Sequence, residues 1–108
     1  MAVEYDLVVI GGGSAGLVAA SAGAQLNARI ALVEKHLLGG DCLHYGCVPS
    51  KSLIHAGQVA HHVRTGSQFG IYTPTPTIKF EEAINHVQKV VDIIQEHDST
   101  ERFESLGV

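Results

Sequence analysis

A run near the start of the chain, Gly11-Gly12-Gly13-Ser14-Ala15-Gly16, constrains its fold more than any other feature. It follows Tyr5–Ile10 (YDLVVI), an apolar, β-branched stretch that suits a strand buried on both faces of a parallel sheet. It leads into Ala15–Leu26, which is small, apolar and of high helix propensity, with Asn27 as a helix end. Arg29–Glu34 (RIALVE) then reads as a second strand. Strand, tight turn, helix and strand within about thirty residues form the pattern of a βαβ crossover, so the spacing predicts an α/β fold.

Gly11, Gly13 and Gly16 make G-x-G-x-x-G, a pattern that is weak alone and specific where it links a strand to a helix. The first glycine permits the tight turn. The second lets a pyrophosphate approach the backbone, and the third lets helix and strand pack closely. The helix start offers unpaired N–H groups and positive potential to phosphates, with the Ser14 hydroxyl and the Ala15 amide beside them. Glu34 ends the second strand, 18 residues after Gly16, with Lys35 next to it. A carboxylate there accepts from both ribose hydroxyls of an adenosine and repels a 2′-phosphate. The turn therefore predicts a dinucleotide site, and by itself it does not separate FAD from NAD.

Composition narrows the function classes. The chain has 108 residues and a net charge of -4, which supplies no basic field for a nucleic-acid backbone. No apolar run reaches the roughly 20 residues of a membrane span. Glu4 and Asp6 stand where a secretory signal carries basic residues, so a cytoplasmic location is the expectation. Two cysteines are too few for a disulfide scaffold of the secreted kind. In a cytoplasmic chain a close pair points to catalysis, redox sensing or metal binding, against the alternative of two unrelated buried thiols.

Pro49 suits the first turn of a helix, which the apolar spacing carries from Ser50 to about Arg64. Thr65–Thr77, with Gly66, Gly70, Pro74 and Pro76, reads as a loop holding a short extended piece at Phe69–Tyr72. Phe80, Ala83, Ile84, Val87, Val90, Val91 and Ile94 recur at helical spacing, an amphipathic helix expected to pack on the preceding one. Glu81 and Glu82 suit the positive end of its dipole. Ser99 caps a short helix through Leu106, and Gly107 stops it. Two parallel strands leave a sheet with bare edges. A longer protein, of which this is one part, is the expectation.

The cysteines lie in Gly39-Gly40-Asp41-Cys42-Leu43-His44-Tyr45-Gly46-Cys47-Val48-Pro49-Ser50-Lys51. In a regular helix, positions five apart have Cα atoms roughly 8.6 Å apart. A disulfide needs about 7 Å or less, so a bridged pair requires a broken helix, and Gly46 supplies freedom to distort it. Cys47 would sit just before a helix, with Lys51 one turn on, and both features stabilise a thiolate. Cys47 is then the better persistent thiolate, and Cys42, further out, the better group to attack a substrate. Zinc on Cys42, Cys47, His44 and another histidine is the competing chemistry, although no second C-x-x-C or H-x-x-x-H accompanies the pair.

The glycine turn, Glu34 and GGDCLHYGCVPSK together resemble the class I pyridine nucleotide-disulfide oxidoreductases, a family that includes dihydrolipoamide dehydrogenase, glutathione reductase and mercuric reductase. The resemblance runs along the whole chain and corresponds to the first part of a typical member. It implies that residues 1–108 are the N-terminal part of a Rossmann-like FAD-binding domain, without the NAD(P) and dimerisation domains, from a homodimeric flavoprotein. FAD would lie on Gly11, Gly13, Ser14, Ala15 and Gly16, with Glu34 and Lys35 at its ribose and Gly40, Asp41, Cys42, Gly46, Cys47 and Lys51 along its path. Cys42 resembles the interchange thiol, Cys47 the thiol against the flavin, and Lys51 the lysine beside the flavin N5 edge. Electrons would pass between NAD(P)H, FAD, a Cys42–Cys47 redox disulfide and a thiol, disulfide or metal substrate, with this segment alone inactive. Asp41 and His44 depart from the Thr and Asn of many members. A non-catalytic nucleotide-binding fragment and a small redox- or metal-sensing module are the alternatives.

Overall fold

The computed structural model describes residues 1–108. Two parallel strands, β1 (Leu7–Ile10) and β2 (Ile30–Val33), pair in register from Leu7 with Ile30 to Ile10 with Val33. Helix α1 (Ser14–Gln25) crosses between them, and Asn27 takes the left-handed conformation at its exit, φ 61°. The register is pinned at the strand entrance by Asp6. Its carboxylate accepts from the Arg29 backbone amide at 2.7 Å and from the guanidinium at 3.2 and 3.3 Å. Ala20 is wholly buried and Ile30 nearly so, and the absence of a side chain at Gly23 lets α1 sit down on Ile30. The expected βαβ crossover is present, and the fold is α/β and Rossmann-like.

After β2 the chain forms a one-turn helix, α2 (Gly40–His44), which the sequence pattern did not anticipate. Five residues are too few for periodicity to show, and such a turn persists through contacts rather than propensity. Helix α3 (Cys47–Thr65) begins earlier than Ser50 because Pro49 falls in the first turn, where its missing N–H costs nothing. The extended piece expected at Phe69–Tyr72 is replaced by a 3₁₀ turn, Gly66–Phe69, closed by Gly70 at φ 77°. No strand lies alongside to pair with those residues, whereas the Gly66 carbonyl accepts the Ile71 amide at 3.0 Å.

Helix α4 (Phe80–His97) has Glu81 and Glu82 in its first turn and packs on α3, burying Val87 and Val91. It returns toward the sheet, where α5 (Thr100–Ser105) follows. The Ser99 hydroxyl accepts the Arg102 amide at 3.3 Å, as a cap should, and Phe103 is buried. The hairpin of α3 and α4 makes the molecule long, 70 Å by 26 Å by 18 Å. Its radius of gyration is 20.0 Å, where a compact chain of this length would have about 13 Å. No helix is long and apolar enough to cross a membrane.

Candidate functional site

The glycine turn is held by its own backbone. The Gly11 amide donates to the Val33 carbonyl at 2.7 Å, so the turn starts locked to the end of β2. A side chain on Gly16 would collide with the carbonyl of Gly11, which is why helix and turn can meet this closely. The first bond of α1 runs from the Leu17 amide to the Gly13 carbonyl at 2.9 Å. The amides of Ser14, Ala15 and Gly16 are therefore the unpaired donors of a helix N-terminus. They are the donors that a phosphate would take.

Glu34 is more than a ribose ligand in waiting. One carboxylate oxygen accepts the Gly12 amide at 2.6 Å and the other the His36 amide at 3.0 Å. The Gly12 bond, followed by the His36 bond, holds the Glu34 carboxyl below the usual glutamate range. Sequence reasoning missed this brace, because nothing in the order of residues shows which amide the turn leaves pointing at Glu34. Each oxygen keeps a further lone pair, so the site still fits an adenosine ribose. Lys35 is exposed beside it.

The segment before the cysteines folds back onto this turn. The Gly39 amide donates to the Gly12 carbonyl at 2.8 Å. Gly40, at φ 60°, lies so close that a side chain there would come within 2.7 Å of the Gly13 Cα. The start of α2 and the start of α1 thus share one hollow of bare backbone. It is a cradle that side chains would fill, and its donor set fits a dinucleotide pyrophosphate. Asp41 stands exposed in the first turn of α2.

Cys42 and Cys47 stand on different helices. The break falls at Tyr45 and Gly46, with Gly46 at φ -123° and ψ -112°. A regular helix is therefore avoided, as a close pair requires. Gly46 is needed for space, not for a left-handed φ: a side chain would lie 2.9 Å from the Asp41 carbonyl oxygen. Both cysteines are free thiols, Cys42 half-buried and Cys47 exposed, and each side chain is near enough to shift the other's acidity. The neighbouring Cys47 side chain pulls the Cys42 thiol down; burial opposes it, and the Ser14 hydroxyl, the Cys47 amide and the Lys51 charge add to it. The Cys42 side chain, with its charge, pushes the Cys47 thiol up. The helix start and Lys51 were expected to favour the thiolate of Cys47; the mutual contact of the two side chains outweighs them and lowers Cys42 instead. Lys51 is exposed one turn along α3.

A hollow of about 570 Å³ is lined among others by Ala31, Leu32, Gln95 and Phe103 and contains neither cysteine. The chemistry lies instead at the junction of the turn, α2 and α3.

A strand-turn-helix glycine turn set against a pair of neighbouring thiols places the chain among α/β proteins of the Rossmann-like class. The family model of pyridine nucleotide-disulphide oxidoreductases matches residues 5–105, and the chain belongs to that family. The dihydrolipoyl dehydrogenase of Bacillus subtilis (strain 168) is 48% identical over 92 residues, 85% of this chain and 19% of the relative. That of Zymomonas mobilis is 41% identical over 90 residues, 83% of this chain and 19% of the relative. Among solved structures, the Cu(II) complex of the HOCl-induced flavoprotein disulfide reductase RclA from Escherichia coli matches with a TM-score of 0.68 and 27% identity. That match covers 92% of this chain and 19% of the solved one. The chain thus spans about a fifth of the length of the proteins it matches. The cofactors expected from the sequence, FAD and NAD(P)H, are those of this family.

Proposed function

We propose that residues 1–108 form the N-terminal part of an FAD-binding domain in a flavoprotein disulfide oxidoreductase, with Cys42 and Cys47 as its redox pair. The observation that carries this reading is the meeting of two neighbouring thiols, each shifting the other's acidity, with the glycine turn that would hold the cofactor's phosphates. Apolar side chains of the sheet support a larger domain around it: Ile10 is 86% exposed and Val8 52%.

In this reading the amides of Ser14, Ala15 and Gly16 bind the pyrophosphate, with Gly11, Gly13 and Gly40 leaving it room. Glu34 accepts from the ribose and braces the turn, and Lys35 flanks it. Asp41, Gly46 and Lys51 line the path to the flavin, which when bound relays two electrons between NAD(P)H and the sulfurs. Cys42 meets the substrate. In the oxidising direction a substrate thiolate attacks the Cys42 sulfur of the Cys42–Cys47 disulfide, forming a mixed disulfide and freeing Cys47 as a thiolate. The second substrate thiol then displaces Cys42. The substrate leaves as a disulfide, having given two electrons and two protons to the pair. The dihydrolipoyl dehydrogenases among the relatives favour a small or carrier-bound dithiol over a metal ion as substrate. A cytoplasmic homodimer belongs to this reading on the strength of the family alone.

The test is the visible spectrum of the purified full-length protein. The expected result is a bound flavin, with a long-wavelength thiolate–flavin band that Cys47→Ser removes and Cys42→Ser retains. A colourless protein that takes up no FAD on reconstitution overturns the reading, and the opposite response of the two variants overturns the roles.

A further inference from the structure

The segment between the two cysteines contains a side chain that the redox chemistry does not use. His44 is the last residue of α2, two positions after Cys42 and three before Cys47. Its ring is half-buried, and Nε2 lies 3.0 Å from the carbonyl oxygen of Leu38. A carbonyl only accepts, so Nε2 carries the hydrogen and donates. The bond spans six residues and reaches back past Gly39, the residue that opens α2.

Helix α2 packs on α3 and α4, and His44 adds a side-chain hydrogen bond at its far end. It is one turn long, and Gly39 provides no side-chain cap. A helix of that length does not persist on its own hydrogen bonds. Its near end is fixed by the Gly39 amide on Gly12 and by the approach of Gly40 to Gly13. Leu43, next to its last residue, is packed into the core at 2% exposed. His44 supplies the side-chain hydrogen bond that ties the last turn to the chain before it. That last turn sets where Cys42 stands relative to Cys47, because the chain between them has only Leu43, His44, Tyr45 and Gly46 in which to absorb a shift.

We propose that His44 is a positioning residue for the thiol pair: by donating from Nε2 to the Leu38 carbonyl it holds α2 so that Cys42 and Cys47 face one another at bonding range. This rests on the reading of the pair as redox-active. Closing the disulfide removes two electrons and two protons from the thiols and delivers them to an external disulfide, such as oxidised dithiothreitol, which becomes the dithiol. Holding the sulfurs together raises their effective concentration toward each other and so favours the closed form. Loss of the tie therefore shifts the equilibrium toward the open dithiol.

The test equilibrates the full-length protein with mixtures of oxidised and reduced dithiothreitol and reads the closed fraction by mass. His44→Phe keeps a ring and removes the donor. It is expected to shift the equilibrium about fivefold toward the dithiol, the ratio that one ordinary hydrogen bond carries. His44→Gln restores an N–H of similar reach and is expected to return most of the shift. Should the Phe form fail to fold, His44→Leu removes the same donor. An unchanged equilibrium in the folded donor-less variant, or equal shifts in the Phe and Gln variants, overturns the proposal. The readout needs no flavin, so failure to bind FAD leaves this result separate.

Discussion

The glycine turn with α2 and the α3–α4 hairpin meet at one junction and are built in opposite ways. Around the turn, backbone touches backbone: Gly11 bonds to Val33, Gly39 to Gly12, and Gly40 lies against Gly13. A side chain at Gly16 or Gly40 could not be inserted there without moving the main chain. In the hairpin, α3 buries no residue fully, and Gly57 in its middle has nothing within 4 Å of where a side chain would sit. The difference separates two uses of glycine. In one place its lack of a side chain creates the site; in the other it is merely tolerated and weakens a helix.

Alanine at the two glycines should break this contrast most sharply if it is wrong. Gly16→Ala forces α1 away from the Gly11 carbonyl and is expected to destabilise by about 4 kcal/mol or more, the range of mutations that disrupt backbone packing. Denaturant unfolding of the full-length protein measures it, and a change under about 1 kcal/mol would show that the turn can relax.

The next effect concerns the brace across the turn. The Glu34 carboxyl titrates below its ordinary value when folded, chiefly through the Gly12 amide. Its contribution to stability is therefore present above the unfolded glutamate pKa and is lost as pH falls through the lowered folded value. Glu34→Gln should flatten the acid limb of the melting temperature between roughly pH 5 and pH 3, the window in which unfolded glutamate takes up its proton. An unchanged acid limb would place that dependence on other carboxylates.

The smallest expected effect has the opposite sign. Gly57→Ala should stabilise the hairpin by about 0.5–1 kcal/mol, since it removes backbone freedom from the unfolded chain and meets no neighbour. A loss of stability would mean that another part of the protein packs on that face of α3.

The parts of the fold readable in the residues were those with a period or a punctuation mark. YDLVVI and RIALVE became β1 and β2, Asn27 took the left-handed helix exit, and the Ser99 side chain bonds to the Arg102 amide as a cap. The amphipathic stripe of α4 buries Val87 and Val91 as its spacing required. The unreadable parts depend on contacts. Helix α2 has no period to detect, and Gly66–Phe69 turned where an extended piece was expected. The opposite shifts of Cys42 and Cys47 turn first on how the two side chains meet, and residue order says nothing of aim.

The residues by themselves determined the crossover and its glycine turn, because steric and hydrogen-bonding rules for short segments govern both, and the family followed from the motifs that the chain shares with it. Tertiary structure alone decided that Glu34 grips the turn it was expected to serve. It likewise decided that α2 lies across Gly13, that His44 reaches Leu38, and that the Cys42 and Cys47 thiols are shifted in opposite directions. Each of these is a contact between segments whose approach depends on how the βαβ unit packs, and hydrogen bonds of about 3 Å are too short-ranged for sequence spacing to foresee.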